Sequence, residues 1–126
     1  MVVPVLSVLT LSPGLSAEPT RESPFVCDRL AMTPEQRARQ SKELGPALRS
    51  AMKGVNELPD GYEFQLPPDL KTLQMAAEWA MNERLCCPFL DIELQLQREG
   101  GPLLMRLSGR KGTKEFIEAD LQAWLD

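Results

Sequence analysis

Residues 89–107 leave a folding chain little choice. Leu90, Ile92, Leu94 and Leu96 alternate with Asp91, Glu93, Gln95 and Gln97, and Leu103, Met105 and Leu107 resume the pattern after Glu99-Gly100-Gly101-Pro102. A period of two sends the apolar side chains to one face of an extended ribbon. A Gly-Gly pair between two such runs reads as a hairpin turn. An antiparallel pair with one wet face has to be covered on the other, so the remaining segments must supply the cover.

The helical segments that do so are visible in the pattern. Asp69 can cap a helix from about Leu70 to Cys86, and Leu73, Met75, Ala76, Ala77, Trp79, Ala80 and Met81 cover most of its circumference, which predicts the central, most buried helix. Met75 and Met81 read as core filler rather than metal ligands. Upstream, Thr33-Pro34-Glu35-Gln36 carries a cap, a proline suited to the first helical position and a capping-box glutamine. Leu44, Ala47, Leu48, Ala51, Met52 and Val55 then recur at helical spacing, with a kink or a pair of abutting helices expected at Gly45-Pro46. The basic residues Arg37, Arg39, Lys42, Arg49 and Lys53 read as a solvated face of this region. Thr113 starts a last helix with Phe116, Ile117, Leu121, Trp124 and Leu125 inward.

Leu58-Pro59-Asp60-Gly61 reads as a turn, and Tyr62-Glu63-Phe64-Gln65-Leu66 as a half-buried strand ended by Pro67-Pro68. Phe25-Val26-Cys27 reads as a short strand or a segment tucked against the core. The expected fold is α+β: a small mixed three-stranded sheet with a C-terminal β-hairpin, covered on one face by about three helices. The strands at Tyr62 and Phe89, joined by a helical crossover, are expected to run parallel. Residues 25–126 form one expected domain, in keeping with a length of 126 residues.

The first seventeen residues differ. Met1–Ala17 carries no charged side chain, and Leu15-Ser16-Ala17 offers small residues before Glu18. This reads as a signal peptide, although no Lys or Arg precedes the apolar run. A misassigned start and a disordered tail are the other readings. Residues 18–24 read as an extended linker. The expected location is periplasmic or secreted if the signal acts, cytoplasmic otherwise. Pro4 and Pro13 interrupt a run already too short to span a membrane. A net charge of −4 argues against nucleic acid as the main partner.

Chemistry concentrates at Glu83-Arg84-Leu85-Cys86-Cys87-Pro88-Phe89. The chain has three cysteines and no histidine. The commonest general base and zinc ligand are therefore missing, and a Ser-His-Asp or Cys-His mechanism is excluded within this chain. Pro88 pushes Cys87 toward an extended conformation, so the helix ends at about Cys86 and two adjacent thiols escape the divergence that a helix imposes. A helix C-terminus raises a thiol's pKa, with Arg84 near enough in sequence to offset this. That placement disfavours a low-pKa redox nucleophile but leaves soft-metal binding open, because the ion itself drives deprotonation. Singly, each cysteine reads as a small buried hydrophobe. Together, Cys27, Cys86 and Cys87 suit three-thiolate ligation of a soft ion of the Hg, As or Cu(I) type better than ordinary tetrahedral zinc. In an oxidising compartment, Cys27 with one of the pair is the expected disulfide.

Phe25-Val26-Cys27, Glu57-Leu58-Pro59-Asp60-Gly61-Tyr62 and Glu83-Arg84-Leu85-Cys86-Cys87-Pro88-Phe89 resemble the landmarks of a small, largely uncharacterised bacterial family with a Glu-Arg-x-Cys-Cys-Pro-Phe motif. The resemblance covers roughly Ser23 to Leu121. It implies a heavy-metal resistance context and brings no established activity. The apolar N-terminal extension departs from it. Three functional readings stand: a soft-metal-binding protein, a thiol-dependent redox enzyme with Cys86 or Cys87 as nucleophile, and an exported structural or interaction domain with structural cysteines.

Overall fold

A computed structural model describes Pro4 and residues 22–126. Apart from Pro4, the expected signal segment lies outside the described residues, as does most of the expected linker. A 3-10 turn, Arg29–Ala31, precedes helix α1 (Pro34–Arg39), a π turn (Gln40–Leu44) and helix α2 (Gly45–Ala51). Strands β1 (Gly54–Leu58) and β2 (Gly61–Leu66) follow, then helix α3 (Leu70–Cys86), strands β3 (Asp91–Leu96) and β4 (Leu103–Ser108), and helices α4 (Thr113–Asp120) and α5 (Gln122–Leu125). Among the described residues, no helix is long and apolar enough to cross a membrane.

The sheet has four strands in the order β1-β2-β4-β3, and every pairing is antiparallel. The α+β class agrees with expectation; the strand number and the mixed pairing do not. β2 and β3 do point the same way, since each runs antiparallel to β4, but β4 lies between them. The unexpected strand is β1. Its Val55 continues the helical spacing of Leu48 and Met52, yet Met52 leaves the helical conformation (ψ 135°) and the chain turns back at Pro59-Asp60 to pair Leu58 with Gly61. Phe25-Val26-Cys27 forms no strand but packs against the core, with Phe25 edge-on to Phe89 at 5.1 Å.

Proline at position 46 is absorbed by the π turn. Gly45 N–H reaches back five residues to Gln40 O, so the helical ladder widens by one residue just before the residue that has no N–H to give. The two helices stay abutted without a break, and Leu44 and Leu48 both remain buried.

Tyr62, Phe64 and Leu66 on β2 stand opposite Leu107, Met105 and Leu103 on β4. Together they make the inner face, on which Trp124 meets Phe64 (5.6 Å) and Trp79 (5.1 Å). Tyr62 Oη donates to Glu118 at 2.7 Å and ties α4 to the sheet. On the outer face, Arg106 donates to Glu63 directly across the strand pair at 2.6 Å. The cover stops short of the sheet's end: on edge strand β3, Leu96 is 55% exposed although its alternation places it on the inner face.

Gly61 on β2 lies close against the β4 backbone. A Cβ there would collide with the Leu107 carbonyl and lie 2.8 Å from Ser108 Cα. Both are backbone atoms held in the ladder. Gly61→Ala should therefore cost about 2 kcal/mol or more in chemical denaturation. Gly54→Ala, whose Cβ would meet only the Gln65 side chain at 3.4 Å, should be nearly silent. Equal effects at the two positions would contradict this.

Candidate functional site

Helix α3 ends because Pro88 forbids it to continue. Cys87 N–H makes the last helical bond, to Glu83 O at 2.7 Å, and Cys87 itself turns out to φ −124°, ψ 72°. The last carbonyls of a helix have no partner within it. Here one of them, Cys86 O, accepts from Asp28 N–H at 2.8 Å. That bond lays residues 23–28 across the helix end. Arg110 stacks over the Phe25 ring at 4.2 Å and donates to Ser23 O, and the ring packs over Gly112, whose φ of 102° and missing Cβ make room for it.

The strap delivers Cys27 to Cys87, and the two form a disulfide with Cα atoms 4.9 Å apart. Cys86 stays free, its sulfur 3.8 Å from that of Cys87. All three sulfurs lie within 4.8 Å of one another. The three cysteines expected to meet do so, and the bridge joins Cys27 to one of the adjacent pair. Arg84 is exposed and lines a different groove, with Met81, Pro88 and Asp91. The guanidinium whose charge reaches the site is that of Arg29.

Two carboxyl groups flank the sulfurs. Glu83 Oε1 is 3.6 Å from Cys87 Sγ, and Asp120 Oδ2 is 3.8 Å from Cys27 Sγ. Bridged sulfurs carry no proton, so these are contacts now and become thiol–carboxyl hydrogen bonds once the bridge opens. Glu83 is only 7% exposed. Burial pushes its carboxyl above the ordinary range and Asp120 adds to the rise, while the Gln40 hydrogen bond and Arg29 oppose it. Burial raises Asp120 in the same way, against Arg29. The Cys86 thiol is pushed up to about 11, first by burial, then by Glu83 and Asp120.

Gln40 holds this arrangement to the helical layer. Its Nε2 donates to Trp79 O (2.9 Å) and to Glu83 Oε2 (3.0 Å), and its Oε1 accepts from Asn82 (3.2 Å). The π turn is what aims Gln40 inward. Sequence reasoning missed Gln40, Glu83, Asp120 and Arg29. Glu83 had a usable signal, four residues before Cys87 on the last helical turn. Gln40 and Asp120 had none, because they reach the site through tertiary packing.

A cavity of about 420 Å³ opens beside the sulfurs. Cys27 and Cys86 line it, with Trp79, Trp124, Glu83 and Asp120. Cys87 is fully buried and lies behind this wall.

Two outcomes follow. The bridge closes a loop with a sequence separation of 60, for which chain entropy gives a stabilisation of roughly 4 kcal/mol. Reduction should lower the denaturation midpoint accordingly, and an unchanged midpoint would show that the bridge does not constrain the chain. Glu83 should also impose a pH dependence. A carboxyl raised in the fold contributes stability that is full below its unfolded pKa, ordinarily 4.5, and is lost as pH rises through the folded value. Urea unfolding of wild type and Glu83→Gln across pH 4 to 8 should show wild type losing ground to the variant as pH rises. A constant difference would contradict the raised carboxyl.

The chain matches no protein-family model, no curated protein and no solved structure, so the reading of this site rests on its own geometry.

Proposed function

We propose that, with its bridge reduced, the protein binds one soft, thiophilic metal ion through Cys27, Cys86 and Cys87. The observation that carries this is the convergence of the three sulfurs within 4.8 Å of one another. A planar three-coordinate site with metal–sulfur bonds of about 2.3 Å sets its sulfurs roughly 4.0 Å apart. Cys86 and Cys87 already stand at 3.8 Å, and opening the bridge lets Cys27 withdraw to a similar separation. Three thiolates and no imidazole form a donor set that favours Hg(II), As(III) or Cu(I) over harder ions. Metal binding also answers the high pKa of Cys86, since a bound ion deprotonates its thiol ligands outright. This agrees with the heavy-metal context implied by the Glu-Arg-x-Cys-Cys-Pro-Phe resemblance. Export would place the chain in a compartment where the bridge persists, so metal capture would follow reduction.

A second reading has its own observation. Cys27, Glu83, Cys87 and Asp120 also bring ligand atoms within 4.8 Å of one another, a two-sulfur, two-oxygen set that suits four-coordinate zinc.

Protein reduced with dithiothreitol and freed of it should bind one mercuric ion with loss of three titratable thiols. It should also gain stability, by about 4 kcal/mol at a thousandfold excess over Kd. Serine at Cys27, Cys86 or Cys87 should each weaken mercury binding clearly, and Glu83→Gln should not. Undiminished binding in Cys27→Ser would end the three-thiolate reading. Zinc binding lost in Glu83→Gln but kept in Cys86→Ser would favour the four-ligand alternative.

A further inference from the structure

We propose that the cavity beside the disulfide admits a small anionic thiol, held by Arg29, Arg37 and Arg49, which opens the bridge by attack on Cys27. The proposal rests on the reading of these cysteines as a working thiol site, since it supplies the step from bridged to three-thiol form.

The two sulfurs of the bridge are unequally placed. Thiol–disulfide exchange requires a thiolate to reach one sulfur while the other leaves. Cys87 is fully buried, whereas Cys27 is half-buried and lines the cavity. Cys27 Sγ is therefore the sulfur attacked and Cys87 Sγ the one that departs. The cavity, at about 420 Å³, falls within the range of roughly 300–1,000 Å³ typical of small-molecule sites, and Trp79 and Trp124 give it an apolar wall.

The charge around it is the less expected feature. Arg29, Arg37 and Arg49 all line the cavity, and among the described residues none of them forms an ion pair. Arg37 is anchored through Nη1 to Met32 O at 2.7 Å and to Arg29 O at 3.4 Å. That leaves donors of its guanidinium fork uncommitted beside Arg29. Guanidinium groups recognise carboxylates through paired hydrogen bonds. On a chain of net charge −4, three arginines with no ion pair among the described residues line this cavity against two carboxyl groups raised by burial, Glu83 and Asp120, a local balance opposite in sign to that of the whole molecule.

The chemistry balances with the thiol as the only co-reactant. The thiolate of the first molecule attacks Cys27 Sγ. A mixed disulfide forms, the Cys27–Cys87 bond breaks, and its electron pair leaves on Cys87 Sγ. The proton given up by the incoming thiol passes through solvent to Cys87. A second molecule attacks the external sulfur of the mixed disulfide and departs as the symmetric small disulfide, and Cys27 takes the second proton. Two thiols lose two electrons and the bridge gains them.

The test compares 3-mercaptopropionate with cysteamine, an anionic and a cationic thiol of similar size. Bridge opening in the full-length protein is followed by free-thiol count at low salt, with each rate divided by that of the same thiol on the neutral disulfide of 2-mercaptoethanol, which cancels the difference in intrinsic thiolate nucleophilicity. Overall charge, Glu83 and Asp120 favour cysteamine; the arginines favour 3-mercaptopropionate. The expected result is a preference of about fivefold or more for 3-mercaptopropionate, falling toward unity in Arg29→Gln/Arg49→Gln. Both of those residues are exposed, so the fold should survive. On wild type, propionate should slow 3-mercaptopropionate and leave cysteamine unaffected. Cysteamine reacting as fast or faster, or a preference that survives in the double variant, overturns the proposal. Mercury titration of dithiothreitol-reduced double variant keeps the two readings apart. Intact mercury binding in wild type without an anion preference in wild type removes this inference alone. An anion preference without mercury binding in wild type removes the metal reading alone.

Discussion

One backbone hydrogen bond organises the site: Asp28 N–H to Cys86 O. A helix end exposes carbonyls that must find partners, and α3 finds one in a segment nearly sixty residues upstream. That bond fixes the strap's register on the helix end, and register decides which side chain faces the sulfur of Cys87. Pro88 supplies the other half by turning Cys87 off the helix axis. The disulfide then makes covalent an adjacency that the backbone has already set.

The free thiol of Cys86 and its neighbouring carboxyl groups sit in surroundings that resist ionisation. Burial raises Cys86, Glu83 and Asp120 alike, so the cluster holds its protons where an exposed one would not. An isolated buried carboxyl is expensive unless its lone pairs are used. Gln40 uses one pair on Glu83 while its other end is held by Asn82. A buried polar network of this kind fixes geometry, and here it fixes the spacing between α3 and the π turn. The irregularity that accommodates Pro46 and the residue that positions Glu83 are the same feature of the chain.

The parts legible in the sequence were those governed by local rules. The β3–β4 hairpin could be read from period-two alternation around Gly100, which takes a positive φ of 73° as a hairpin glycine can. The Thr33 capping box and the exit of Cys87 from α3 followed from residue types alone. β1 was hidden because Val55 fits a helical face as well as a strand, and only pairing with β2 decides between them. The sheet's order was hidden for a related reason: a helical crossover fixes the relative direction of β2 and β3 but not whether β4 enters between them. At the site, the cysteines announced themselves by type. Arg29 and Asp120 did not, because a charged residue in a polar stretch looks like solvent-facing decoration until the fold turns it toward a sulfur.

The bridge also divides the molecule under load. The loop between Cys27 and Cys87 contains α1, α2, β1, β2 and α3, while β3, β4, α4 and α5 lie beyond it. Tension applied at the two ends of an oxidised chain would pass from Cys27 to Cys87 through sulfur, bypassing a 60-residue separation and some 200 Å of contour length. The β2–β4 ladder crosses that boundary, so β4 can be peeled from β2 while β2 and its hairpin partner stay slack. Oxidation state thus sets how far the molecule can be drawn out, and which half of its sheet feels the pull.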